Sequence, residues 1–402
     1  MPISNIYLSD TQSRAEKAKD KKAVFGPDID LSMYTQHIER GKIESLENLS
    51  VQAREAAIMT GINLKEEHRA GSYMQVDQSV VYESLNKAYE GQLEIMSTTD
   101  ALKKYDWLED YFWKSVPVDQ DKYTAQAALK MTHGYFIRVF AHQKPQYPVQ
   151  SCLLVAENNV SQNVHNIIIV EEGAELQVIT GCTLSKSDAA GIHLGISEFY
   201  VKKGGKLFFT MIHNWADNFH VRPRTWAVVE EDGAFVSNYV LLKPVKSIQA
   251  FPVAYLKGDR ASAKFNTVVY GLQNSNIDLG SRIILEGKDT RGESIARTIA
   301  ASGMLMKKAQ RHEPCCTSHP PSTGPIAAVM DVNPDQVPIA RPRSSAENDP
   351  LIRARLLGTS SAAPTPCSPR AAINSPIVLE RPHQADAAAN ITTPIADSLR
   401  RP

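Results

Sequence analysis

Cysteine is scarce in this chain of 402 residues: there are five, and only Cys152 and Cys182 fall within the first three hundred. None has the CxxC spacing of a zinc site, and so uneven a distribution gives no disulfide framework. In a reducing compartment they are expected to be free thiols. An excess of charge of one sign is also missing. The 44 Lys and Arg residues balance 44 Asp and Glu, which favours neither nucleic acid nor a membrane surface as partner. No apolar run approaches the ~18 residues that span a bilayer. The opening "MPISNIYLSDTQSRAEKAKDKKAVFG" has no apolar core of the kind a secretory signal needs, so a cytoplasmic protein is expected.

Aromatic residues stop at Tyr270, and residues 305–402 contain only two glycines, Gly324 and Gly358, against 15 of the 23 prolines. Proline interrupts helices and interior strands, and this stretch has too little apolar surface to offset its conformational entropy. We read 305–402 as a Pro, Ala, Arg and Ser-rich tail that is disordered or frame-shifted, since GC-rich DNA read out of frame gives that bias. Cys315, Cys316 and Cys367 belong to it. A solenoid ending just before it would lack the cap that stacked repeats need.

What is present divides into two further regions. Residues 1–130 read as mostly helical: in "SLENLSVQAREAAIMTGI", Leu46, Leu49, Ala53, Ala56 and Ala57 recur at helical steps. "TDALKKYDWLEDYFWKSV" opens on Thr99 or Asp100 as a cap and carries an aromatic stripe suited to core packing. The charged segment 11–22 is expected to be a solvated or frayed helix.

From 131 to 304 the texture is β. Apolar runs at Ile167, Phe199, Trp226, Val253 and Ile283 begin 32, 27, 27 and 30 residues apart. Each is followed by a charged, mostly Gly-containing turn: "EEGAEL", "KKGGKL", "EEDGAF", "KGDRASA", "EGKDTRGES". That recurrence is the signature of a stacked repeat. The gaps are too short for βαβ crossovers with full helices. A parallel β-helix is the preferred reading and an antiparallel jelly roll the alternative, because spacing alone does not give strand direction.

The candidate chemistry lies in the same region. "EGKDT" is no phosphate loop, since no glycine stands at the required spacing before Gly287 and Lys288. "HNWADNFHVRPR" places His213 and His220 around Trp215, and with Asp217 or Glu198 they would make a cupin-like metal site. Seven residues along one strand, however, put the two imidazoles on opposite faces. His133, His142 and His165 stand singly, and Cys152 sits inside an apolar strand. Cys182 follows Gly181 at a strand end, where a thiol is expected to be more accessible; reactivity would further need a cation nearby to lower its pKa.

"GCTLSKSDAAGIHLGISEFYVKKGGKLFFTMIHNW" resembles the SufB/SufD family of iron–sulfur cluster assembly proteins. The likeness is carried by Gly-Cys-Thr, a histidine in the next strand, Lys-Gly-Gly-Lys, and a strand ending in Asn-Trp. "RIILEGKDTRGESIARTIAA" and "HGYFIRVFAHQKPQYPVQ" resemble later and earlier parts of the same core, and "FGPDIDLSMY" the start of archaeal-type members.

The resemblance implies a mainly β protein: a right-handed parallel β-helix with a helical N-terminal region. It implies a scaffold rather than an enzyme, working with a SufC-type ATPase, a second SufB/SufD-type subunit, and a cysteine desulfurase or other sulfur donor. Cys182 would be the sulfur acceptor, with His213 and Trp215 lining the interior path. A transient iron–sulfur cluster is the implied cargo, and flavin is left unassigned. Leu154 and Ala156 replace the Arg-x-Asn of SufB-type members, which points to a SufD-like or archaeal variant. The distal cluster residue and the ATPase-docking helix are not recognisable in 305–402. The alternative from another class is a β-solenoid or cupin-like metal-dependent enzyme acting on a sugar or small metabolite.

Overall fold

The computed structural model describes residues 5–300, apart from Phe25, Glu66 and Gln273; the tail expected at 305–402 lies outside the described residues. Four helices are found there: α1 (Asn5–Ala18), α2 (Val51–Met59), α3 (Thr98–Lys104) and α4 (Lys122–Leu129). Among them lie β1 (Gly71–Val76), β2 (Ser79–Leu85) and β3 (Leu93–Ser97). The solenoid strands follow as β4 (Tyr135–Val139), β5 (Val149–Val155), β6 (Val160–Val170), β7 (Glu175–Leu184), β8 (Gly191–Val201) and β9 (Lys206–Asn214). Next come β10 (Phe219–Val221), β11 (Arg224–Val229), β12 (Ala234–Leu241), β13 (Ser247–Ala250) and β14 (Val253–Leu256). The last are β15 (Ser262–Gly271), β16 (Asn276–Leu279), β17 (Arg282–Leu285) and β18 (Arg291–Ala300).

These strands wind into a parallel β-solenoid of about six turns. One sheet stacks β5, β7, β9, β12, β15 and β18, with β1 and β2 at its other end; the second stacks β4, β6, β8, β11, β14 and β17, with β10, β13 and β16 continuing from β8. Neighbouring strands among β4–β17 pair in parallel, which rules out the jelly roll. The apolar runs read from the sequence are the second sheet itself. Ile168, Phe199, Ala227, Ala254 and Ile283 form one continuous column across it. Val170, Val201, Val229, Leu256 and Leu285 form the next. Because side chains alternate along a strand, these columns turn inward together and fill the interior, except in the last coil, where Ile283 is partly buried and Leu285 is exposed.

The recurring charged turns have a common backbone cause. His142, Gly173, Gly204, Asp232, Arg260 and Asp289 all adopt positive φ, one in each turn. The first five each donate their backbone N–H to a carbonyl one coil further on: His142 to Glu172, Gly173 to Lys203, Gly204 to Glu231, Asp232 to Asp259 and Arg260 to Lys288. Glycine and aspartate tolerate that conformation, which explains why they punctuate the repeat. "EGKDT" is one of these turns.

The N-terminal region is less helical than its sequence suggests. Its β1 joins the first sheet beside β5, and β3 pairs antiparallel with β4 at the base of the second. The cap of α3 is Ser97, whose hydroxyl accepts from Asp100 N–H, rather than Thr99 or Asp100. The stripe "YDWLEDYFW" forms a short 3-10 turn at Asp106–Asp110 and a loop, and it does pack as core. Helix α1 is docked: Ala15 and Ala18 are buried in the same cluster as Ala125 of α4, and Arg14 pairs with Asp119 at 2.8 Å.

Candidate functional site

Strands β7 and β9 run side by side in a register that places Gly181 opposite Ile212, Cys182 opposite His213 and Thr183 opposite Asn214. Gly-Cys-Thr and His-Asn are thus one structural block on adjacent rungs. Gly181 faces outward, where Thr60 at the end of α2 fills the space a side chain would take. Thr183 also faces outward and is tied to Asn214, whose amide donates to the Thr183 hydroxyl at 2.8 Å. Cys182 alone of the three points into the solenoid, in a column that runs Leu153, Cys182, His213, Leu241.

The interior around it is polar and sealed. His213 is 1% exposed and Cys182 0%. The Tyr239 hydroxyl lies 2.8 Å from His213 Nδ1. Burial holds the Tyr239 pKa well above its usual value, with the Cys182 sulfur adding to the effect, so the phenol keeps its proton. Donation of that proton to Nδ1 fixes the imidazole hydrogen on Nε2. Across the interior, Gln162 Nε2 donates to the Asp77 and Leu154 carbonyls, which leaves Gln162 Oε1 to accept from His193 Nδ1 at 2.8 Å. Trp215 sits between the two imidazoles, 5.4 Å from His193 and 5.5 Å from His213 by ring centroids, and stacks on Phe219 at 4.6 Å. His213 Nε2 and Trp215 Nε1 are both buried without a hydrogen-bond partner.

The electrostatics correct the expectation of an accessible strand-end thiol. Cys182 lies near the end of β7, yet its side chain turns inward and is sealed. Burial raises its pKa well above the usual thiol value, and neighbouring Cys152 raises it further. Burial likewise drives His193 down to about 3 and His213 well below the ordinary imidazole range, the latter with help from His193. Both imidazoles are neutral at physiological pH, so no adjacent cation activates the thiol. Cys152 faces the other side of β5 and packs under α2 as core.

The metal constellation does not assemble. His213 points inward to Tyr239. His220 points outward, where it meets Ser247 Oγ at 2.6 Å and the edge of Tyr34. Asp217 is exposed in the turn after β9. Glu198 faces outward from β8 and is held by His165 Nε2 at 2.8 Å and by the backbone N–H groups of Trp113, Ser115 and Val116. Among the described residues, no group of three or more His, Cys, Asp or Glu side chains is placed to hold a metal ion. The metal-dependent enzyme reading therefore loses its site.

Sequence reasoning found Cys182, His213 and Trp215, and the structure brings them together. It missed Tyr239, gave no role to His193 or His165, and read Glu198 as a candidate metal ligand where the structure pairs it with His165. The available signal was offset: His213 follows Cys182 by one coil, so inward positions can be projected by counting coil lengths. The burial of Glu198 could be inferred from its place inside the largely apolar "GISEFYV".

The fold is a β-solenoid whose chemistry-bearing side chains converge on its interior rather than on a surface pocket. The family model described as "SUF system FeS cluster assembly, SufBD core domain" matches residues 153–304. An iron–sulfur cluster assembly SufBD family protein of Methanothermobacter thermautotrophicus strain Winter is 42% identical over 300 residues, covering 73% of this chain and 72% of its own. One from Archaeoglobus fulgidus is 47% identical over 248 residues, 62% of this chain and 66% of its own. The iron–sulfur cluster assembly protein SufB of Bacillus subtilis is 25% identical over 279 residues, 68% of this chain and 59% of its own. The chain belongs to the SufBD family of iron–sulfur cluster assembly proteins.

Proposed function

We propose that this chain is a scaffold subunit for iron–sulfur cluster assembly, in which Cys182 takes up sulfur inside the solenoid and His213 and Trp215 line the space around it. The observation that carries the reading is the pairing of Cys182 and His213 on adjacent inward rungs, beside two buried N–H groups with no acceptor. Unmet buried donors are unfavourable by about 1–3 kcal/mol each, and an anionic sulfur species would satisfy them. Sulfur arrives by exchange: a donor carrying sulfane sulfur passes its outer sulfur to Cys182 and leaves one sulfur shorter. A sealed interior limits loss of that sulfur to solvent.

One thiolate is too few for a cluster, which is usually held by four ligands. The remaining ligands therefore come from a second SufB/SufD-type subunit, and a SufC-type ATPase drives the conformational work. The energy-coupled step belongs to that partner; this subunit supplies the site.

The test is anaerobic assembly of the full chain with its co-expressed partners, iron and a sulfur source. Cys182→Ser should reduce acid-labile sulfide to background, while Cys152→Ser retains it. A Cys182→Ser complex that accumulates sulfide like the parent would end the reading.

A further inference from the structure

A cleft opens on the solenoid corner where β10, β13 and β16 give way to β11, β14 and β17, and one of its lining residues, Tyr239, meets His213, the rung neighbour of the sealed thiol. Phe251 stands at its mouth, and Phe209, Met211, Ser237, Tyr239 and Phe265 line it further in. Its volume is about 40 Å³, room for roughly one to three water-sized groups. A cysteine-bearing protein loop does not fit. Exposure falls stepwise along the line: 37% at Phe251, partial at Tyr239, 1% at His213 and 0% at Cys182. Tyr239 is thus the threshold, with its ring in the cleft and its hydroxyl on His213.

We propose that this cleft admits an inorganic polysulfide anion to Cys182, with Tyr239 as its inner gate. The inference rests on the reading of Cys182 as sulfur acceptor and names its donor. Size excludes a protein thiol unless the solenoid opens. The aromatic and thioether walls suit a soft, polarisable species and present no cation for a strongly hydrated anion such as phosphate. Beyond the gate, Nε2–H of His213 and Nε1–H of Trp215 wait without acceptors. For hydrogen disulfide the step is Cys182–SH + HSS⁻ → Cys182–S–SH + HS⁻. The donor's S–S bond breaks, a new one forms to Cys182 Sγ, and hydrosulfide leaves. No oxidant is consumed, because the transferred sulfur is already at the sulfane level.

The experiment uses the full chain, sodium polysulfide as donor, and two thiol reagents of different size: methyl methanethiolsulfonate and a bulky maleimide. Mass spectrometry follows Cys182 and Cys152 separately. In the parent, polysulfide and the small reagent should modify Cys182 and the maleimide should not. Ser237→Phe, which fills the cleft, should slow both modifications of Cys182 by about tenfold or more while Cys152 reacts as before. Tyr239→Ala should accelerate them. Cys182 loading at the parental rate in folded Ser237→Phe, or fast labelling of Cys182 by the maleimide, would overturn the route and leave the acceptor role intact. A Cys182 that reacts with the small reagent yet never retains sulfur from any donor would overturn both.

Discussion

A single added methyl at Gly181 would overlap Thr60 Oγ1 and lie 2.7 Å from Thr60 Cβ, so this glycine is fixed by the close approach of α2 and not by backbone conformation. Gly181→Ala is expected to destabilise the fold by about 1–3 kcal/mol, as overpacking of a filled site does. In a Thr60→Gly background, where the nearest remaining atom is Ile62 Cγ1 at 3.4 Å, the same change should cost less than about 1 kcal/mol. Denaturant titrations of the four proteins measure both values. His193 makes a second prediction. Its folded pKa is depressed to about 3 by burial, so below the unfolded value of 6.5 only the unfolded chain takes up its proton. Its contribution is complete above that pH and is lost as pH falls toward 3, at about 1.4 kcal/mol per pH unit. His193→Gln should flatten the decline by one proton's worth; an unchanged slope would mean that His193 is not held neutral. At this scale the sequence identified Cys182, His213 and Trp215 but not the burial that governs the thiol, nor Tyr239 beside them. Position near a strand end says nothing about which face a side chain takes, and that face decided both exposure and pKa.

Between elements, the N-terminal region is fastened to the outer face of the solenoid by buried charge. Arg224 of β11 reaches Asp121, the cap of α4, at 2.8 Å, and the Tyr123 ring lies against Arg222 and Arg224. Arg224→Met would leave Asp121 buried without its partner and should cost about 3–5 kcal/mol by thermal or denaturant unfolding; adding Asp121→Asn, which keeps the cap but removes the charge, should recover part of it. No recovery would show that packing, not charge, accounts for the loss. Glu198 is a parallel fastening. Burial works against its charge, but His165 and the backbone groups of Val116 and Ser115 outweigh that and hold its pKa below the ordinary carboxylate value. Such contacts were illegible in the sequence, since Asp121 and Arg224 are 103 residues apart and neither belongs to a motif. The strands were legible because their period is local and repeated. β1–β3 were not, since "GSYMQV" and its neighbours fall outside that repeat and join the sheets through distant partners.

At the level of the molecule, the turn residues with positive φ set the coil length, and the coil length sets which side chains share a column. Cys182 and His213 meet because β7 and β9 are successive rungs of one sheet, and Tyr239 reaches them from the next. The period of the repeat therefore carried most of the fold, and with it the part of the site that follows from offset. The interior hydrogen bonds, the sealed thiol and the corner cleft depend on packing between two sheets and needed coordinates. No helix among the described residues is long and apolar enough to cross a membrane.

The most direct measurement is tandem mass spectrometry of the chain isolated anaerobically with its partners, locating any sulfane sulfur by residue. Sulfur should be found on Cys182 and be absent from Cys152, with the signal lost on mild reduction. Sulfur on other cysteines alone, with Cys182 always recovered as the free thiol, would contradict the account.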